Sequence, residues 1–129
     1  MRQQESTHIV VIRPEATAIT KQQLPNFIGV SEATAGAKGI SMNIVIIPAG
    51  GRAVPHLHRG YETAIYQLEG ETETRYGPNL EHSIITKAGD FLFIPADLPH
   101  QPVNLSQTER VVAIVARNDP NEQESVENL

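Results

Sequence analysis

The 129-residue chain contains no cysteine, which excludes disulfides and thiolate ligation of a metal and leaves the redox compartment open. Positive charge is scarce as well. Ten Lys and Arg stand against fifteen Asp and Glu, for a formal net charge of −5 and a pI near 5.5. No basic cluster interrupts that balance, so nucleic acid is not an expected partner. No apolar run approaches the ~20 residues that cross a bilayer. The opening MRQQESTH has no apolar signal core, so the expectation is a cytoplasmic protein without a membrane partner. Helical periodicity, internal repeats and linkers are missing too. The length suits a single domain, 1–129, large enough to bury a core.

What is present is a series of short apolar or alternating runs punctuated by Gly and Pro. Residues 8–13 (HIVVIR) read as a short strand closed by Pro14. Residues 14–39 are irregular, with a further strand expected at 27–30. This arm either covers a sheet edge or closes over the mouth of the fold. Residues 40–47 (ISMNIVII) are apolar on both alternating faces, as a strand buried on both sides requires. Strands are also expected at 71–76, 80–86, 91–94, 100–104 and 110–116, with a strong turn at Gly77-Pro78-Asn79. The tail, 117–129, is acidic and polar and is expected to be flexible. About eight to ten short strands at regular spacing predict an all-β sandwich or jelly-roll barrel.

Chemistry concentrates in residues 50–70 (GGRAVPHLHRGYETAIYQLEG). His56 and His58 are one residue apart, and in a strand such residues point to the same side. Two imidazoles can therefore converge on one point, whereas helical metal motifs space their histidines by three or four. Pro55 and the Gly50-Gly51 turn disfavour a helix here, and Thr63, Ile65 and Tyr66 favour a sheet. A carboxylate, Glu62, follows. A second stretch, residues 89–104 (GDFLFIPADLPHQPVN), runs from a Gly turn through Pro95 to His100 and Asn104. His8 and His82 fall at a strand start and near a hairpin, and are expected outside the site.

Together the two stretches resemble the paired signature motifs of the cupin superfamily, G-x5-H-x-H-x(3,4)-E-x6-G and G-x5-P-x-G-x2-H-x3-N. Gly50, His56, His58, Glu62 and Gly70 fall on the first, and Gly89, Pro95, His100 and Asn104 on the second. The resemblance and its flanking strands cover residues 40–116, with 1–39 as the arm. There are two departures. Asp97 stands where the second motif has glycine, and Asp tolerates left-handed backbone better than most residues. Glu62 also lies one residue further from Gly70 than the pattern allows, so Thr63 occupies the strict register. Counting on from His58 turns Glu62 toward the histidines. Counting back from Gly70 turns Gln67, Ile65 and Thr63 inward and Glu62 outward. A bend at Arg59-Gly60 reconciles the two in favour of Glu62, since a neutral hydroxyl is a poor ligand for a divalent ion.

The resemblance implies a double-stranded β-helix of jelly-roll type, paired as a homodimer. It also implies one divalent transition-metal ion (Fe, Mn, Ni, Zn or Cu) held by His56, His58, Glu62 and His100. In the family register Gln67 faces the cavity, and Tyr66 and Phe93 are expected at its mouth. No Arg or Lys falls in a buried-looking stretch; Arg52 and Arg59 flank the histidine strand. The function implied is that of a metal-dependent enzyme on a small molecule, of oxygenase, decarboxylase or isomerase type. The alternative is a non-catalytic module that binds or senses a small-molecule ligand. A sugar-nucleotide epimerase would need a His–Asp base and a basic nucleotide-binding face, and neither is visible.

Overall fold

In the computed structural model, which describes residues 8–14, 18–19, 24–121 and 126–129, two antiparallel sheets make up nearly all of the regular structure. One has six strands, in spatial order β1 (Ala18–Ile19), β2 (Pro25–Val30), β3 (Ser41–Ile47), β10 (Val111–Arg117), β5 (Thr63–Glu69) and β8 (Phe91–Ile94). The other runs β11 (Val126–Asn128), β4 (His56–His58), β9 (His100–Asn104), β6 (Glu71–Tyr76) and β7 (His82–Lys87). The chain changes sheet at every step from β3 to β6 and from β7 to β11, while β6 and β7 form a hairpin within one sheet; this alternation makes a jelly-roll. Gly70, between β5 and β6, shows why the turn needs glycine. Its φ is +85°, and a Cβ there would lie 2.6 Å from the Arg110 carbonyl oxygen.

The alternating pattern sets which side chains fill the interior. On β10, Val111, Val115 and Arg117 are buried, and on β5 Thr63 and Gln67. Leu24, Ile47, Ala53 and Val111 form the apolar centre, with Val45 packed against them. Buried polar residues outnumber buried apolar ones. Such groups are costly inside unless paired or facing a polar space, so the interior is built to hold something besides hydrocarbon.

Three expectations are corrected. Residues 8–13 form no strand; Ile9 is 96% exposed, and no described strand pairs with this segment to satisfy its backbone. The strand expected at 27–30 is present and longer, Pro25–Val30, and it covers the edge of β3 by pairing with it. It is followed by one helical turn, α1 (Glu32–Ala35), where none is expected from the sequence. Ser31 nucleates it by accepting from the Thr34 backbone N–H, while the Thr34 hydroxyl oxygen accepts from the Ser31 N–H. The tail is not wholly irregular: β11 returns to pair with β4. No helix among the described residues is long and apolar enough to cross a membrane.

Candidate metal centre

β4 is only three residues long, His-Leu-His, and all three are buried. Its alternation puts His56 and His58 on one side and Leu57 on the other. His100, the first residue of β9, lies directly opposite His56 across the ladder. The three rings therefore meet from two adjacent strands, with centroids 4.3 Å (His56–His100), 5.0 Å (His56–His58) and 5.0 Å (His58–His100) apart. One ring nitrogen from each lies within 4.8 Å of the others.

Backbone contacts set which nitrogen that is. The Nδ1 of His56 is 2.6 Å from the Val54 carbonyl oxygen, and that of His100 is 2.8 Å from the Leu98 carbonyl oxygen. A carbonyl only accepts, so both Nδ1 atoms carry the proton and both Nε2 atoms keep a bare lone pair. His58 Nδ1 lies 2.8 Å from the Tyr61 hydroxyl, which can accept or donate; in the tautomer that matches the other two rings, Nδ1–H donates to the Tyr61 oxygen and Nε2 keeps its lone pair. Burial pushes the Tyr61 phenol up to about 12, so it stays protonated. Burial also lowers all three histidines. His56 falls to about 3, with His100 adding to the effect, and His58 to about 2, with Arg117 and then the other two rings adding. His100 is lowered by burial and by Arg117, against the Leu98 contact. All three are neutral at pH 7, the state a metal ligand requires.

The rings face a partly open cavity of about 80 Å³ between the sheets. A single water needs roughly 10–15 Å³ by this kind of measure, so the space suits a few waters or a ligand of few atoms. Thr63, Gln67 and Arg117 line it from the six-stranded sheet. Gln67 is fully engaged at its end: its Nε2 donates to the Gly70 carbonyl, and its Oε1 accepts from the Thr86 hydroxyl.

Other expected site residues lie elsewhere. Glu62 is exposed, its backbone N–H donates to the Asn118 side chain, and it is not among the clustered metal-binding groups. The chain does turn at Arg59-Gly60, where Gly60 has φ +81°. The turn leaves the register counted back from Gly70 intact, and Thr63 rather than Glu62 faces inward. Phe93 is 62% exposed on the outer face of β8, and Tyr66 packs on Phe91 outside the barrel, so neither lines the cavity. Asp97 does adopt left-handed backbone, φ +65°, and its carboxylate accepts from the Gly60 N–H while its own N–H donates to the His58 carbonyl. It clasps the turn after the histidine strand. Asn104 ties the strand end to its neighbours, its amide nitrogen lying 2.8–3.1 Å from the carbonyls of Ile47, Pro48 and Glu109.

Arg117 is the residue the sequence reading misses. It is only 6% exposed, it lines the cavity, and its Nε and Nη1 have no hydrogen-bond partner. The signal was alternation: Val111, Ala113, Val115 and Arg117 all line the cavity, so the inward stripe of β10 runs one step beyond its apolar run. Asn26, on the arm, is a second buried polar group on the cavity wall whose Oδ1 is unpartnered.

A family model for a cupin domain matches residues 43–116. No curated protein matches the chain. Among solved structures, a Lactobacillus farciminis oxalate decarboxylase in a formate complex superposes with a TM-score of 0.74 at 22% identity, over 88% of this chain and 33% of that one. An oxalate oxidase in complex with the substrate analogue glycolate gives 0.72 at 23% identity, over 89% of this chain and 60% of that one. A Bacillus subtilis oxalate decarboxylase described by its Mn(II) centres gives 0.71 at 18% identity, over 92% and 29%. The chain thus spans 60% of the oxidase and a third or less of the decarboxylases. At these identities the likeness is one of fold.

Proposed function

The chain belongs to the cupin domain family, and from that premise we propose that it is a metal-dependent enzyme acting on a small molecule, of oxygenase, decarboxylase or isomerase type. The observation that carries this reading is the convergence of His56, His58 and His100, whose Nδ1 contacts leave Nε2 free to face one point. Nothing about ordinary core packing calls for three neutral imidazoles with their lone pairs directed together. A cation at that point satisfies all three at once.

When bound, such an ion polarises a substrate oxygen or activates water or O₂. The chain's own residues do the rest. The carbonyls of Val54 and Leu98 and the Tyr61 hydroxyl orient the rings and raise their basicity, as outer hydrogen bonds do for metal-ligating histidines. The small cavity limits the ligand to few atoms. Three protein ligands leave open positions, as catalytic sites do. Three imidazoles without a carboxylate suit Fe, Ni, Cu or Zn better than Mn, although Mn(II) centres are described for the Bacillus subtilis neighbour.

The test is metal analysis of gently purified protein. About one transition-metal ion per chain is expected, and His100→Ala should lose most of it, because three ligands are the fewest that catalytic sites use. Equal metal in parent and variant overturns the site. Azide should shift the visible spectrum of the cobalt-loaded protein if a position is exchangeable; an insensitive ion would favour the ligand-binding role instead.

A further inference from the structure

Arg117 carries a fixed positive charge into a cavity that offers it no counter-charge. Among the described residues lining that cavity there is no Asp or Glu. The histidines, neutral or protonated, carry no negative charge to balance it. Tyr61 and Asp119 favour the charged form through space, yet Nε and Nη1 remain without an acceptor. A guanidinium does not escape by losing its proton, as a buried lysine can. Leaving it buried and unpaired is among the costlier arrangements a fold can hold.

The surroundings narrow what would complete it. Thr63, directly across the ladder from Arg117, lines the same cavity, and its Oγ1 is also unpartnered. So is the Oγ1 of Thr72 on the opposite sheet, again on the cavity wall. These hydroxyls donate as readily as they accept, so they suit the oxygens of an anion held by the arginine. The volume of about 80 Å³ limits that anion to a few non-hydrogen atoms. The unpartnered Nε and Nη1 lie on different edges of the guanidinium and do not form one fork, so a two-oxygen anion that reaches one of these N–H groups and the Thr63 hydroxyl together suits the site better than a spherical ion.

We propose that the cavity binds a small carboxylate, one oxygen accepting from an unpartnered N–H of Arg117 and the other from the Thr63 hydroxyl. This names the substrate class of the proposed metal centre and rests on that reading only for its other anchor. An ion on the three histidines adds charge of the same sign, so it increases the demand for an anion. The anion site itself stands on Arg117 with or without the ion.

Formate serves as the test anion, formamide as its neutral isostere and chloride as a spherical control. Binding is measured calorimetrically on the full-length protein, once after chelator treatment and once after metal loading. The parent is expected to bind formate at least about 10-fold more tightly than formamide or chloride, the scale of a charge-assisted hydrogen bond. Arg117→Gln should lose about 10-fold or more of the formate affinity while keeping the parent's metal content, and Arg117→Lys should fall between. Equal binding of formate and formamide by the parent overturns the proposal, as does undiminished formate affinity in a folded Arg117→Gln. If the glutamine variant does not fold, the three-ligand comparison on the parent decides alone. Formate binding by a protein that takes up no metal would leave the anion site standing and remove the metal-centre reading. Metal uptake without formate binding would do the reverse.

Discussion

Arg117 and Thr63 face each other across the β10–β5 ladder, both buried, at the end of the cavity that the histidines close from the other sheet. On its other side Arg117 pairs in register with Ser41, whose hydroxyl is also buried and unpartnered. Thr63 holds the inward place that the family pattern gives to a carboxylate. The interior here thus carries a cation and a hydroxyl side by side where a negative charge belongs, with Glu62 turned to solvent one residue away.

The substitution Thr63→Glu tests what that exchange means. It returns a carboxylate to the inward register, next to Arg117 on the cavity wall. Metal affinity should rise by about 10-fold, the size of effect seen for groups around a metal site. The melting temperature should rise as well, because a buried guanidinium gains its counter-ion. Formate should no longer bind, its place being taken. Chelator competition and thermal melts read all three; weaker metal binding with a lower melting temperature would show that the cavity does not accept a carboxylate at 63.

The metal-free protein should lose stability as the pH drops below neutrality. His56 and His58 titrate at about 3 and 2 in the fold against 6.5 in the open chain. Below pH 6.5 the unfolded chain therefore takes up protons that the folded one refuses, and unfolding is favoured increasingly until the folded values are reached. Each histidine adds roughly 1.4 kcal/mol per pH unit within that window. His100 acts in the same direction. Urea melts between pH 6.5 and 4.5, above the range where most carboxylates titrate, should show the midpoint falling, and His56→Asn should flatten the trend. A pH-independent midpoint would mean that these rings are solvated in the metal-free state.

The histidine cluster could be read from the chain because it follows from period-two alternation within β4 and from one cross-strand pair. Glu62 and Thr63 could not be separated that way. Parity is counted from either side of the Arg59–Gly60 turn, and a turn need not preserve it. The register on the Gly70 side prevailed because β5 is long and paired on both edges, with β10 and β8, so the turn absorbs the mismatch. Arg117 is not legible in the sequence because it ends an apolar run, where a charged residue ordinarily marks the exit to solvent. Phe93 misled for the opposite reason: strand aromatics look like interior, but Phe91 and Phe93 share the outer face.

That outer face is expected to seat a second copy of the chain. Met42, Phe91 and Phe93 lie exposed on β3 and β8, and Ile40 borders β3. Met42 and Phe93 line one shallow groove with Ala64 and Ala116. Contiguous apolar surface of this kind usually marks an interface. Light scattering should show a dimer at micromolar concentration, and Phe93→Glu should shift it to monomer without altering metal content. A parent that scatters as a monomer would refute the pairing.

The C-terminal strand bears on the metal centre more directly than its polar sequence suggests. β4 is held to β9 at a single register pair, His56 with His100, whereas β11 pairs with all three residues of β4. The Leu129 N–H adds a bond to the Pro55 carbonyl. Removing residues 126–129 would leave β4 as a bare edge with unpaired backbone groups and one remaining neighbour. His56 and His58 should then loosen while His100, on β9 beside β6, stays in place. A chain ending at residue 125 is expected to bind metal about 10-fold more weakly, as misplaced ligands do, and to show faster amide exchange at 56–58 but not at 100–104. The Arg59–Glu127 ion pair that also links the two strands is solvent-exposed on both sides. Such pairs contribute little, so Glu127→Ala should leave metal affinity nearly unchanged. If Glu127→Ala costs as much as the truncation, the ion pair rather than the backbone ladder is what positions the histidines. If neither costs anything, β4 holds its shape without β11.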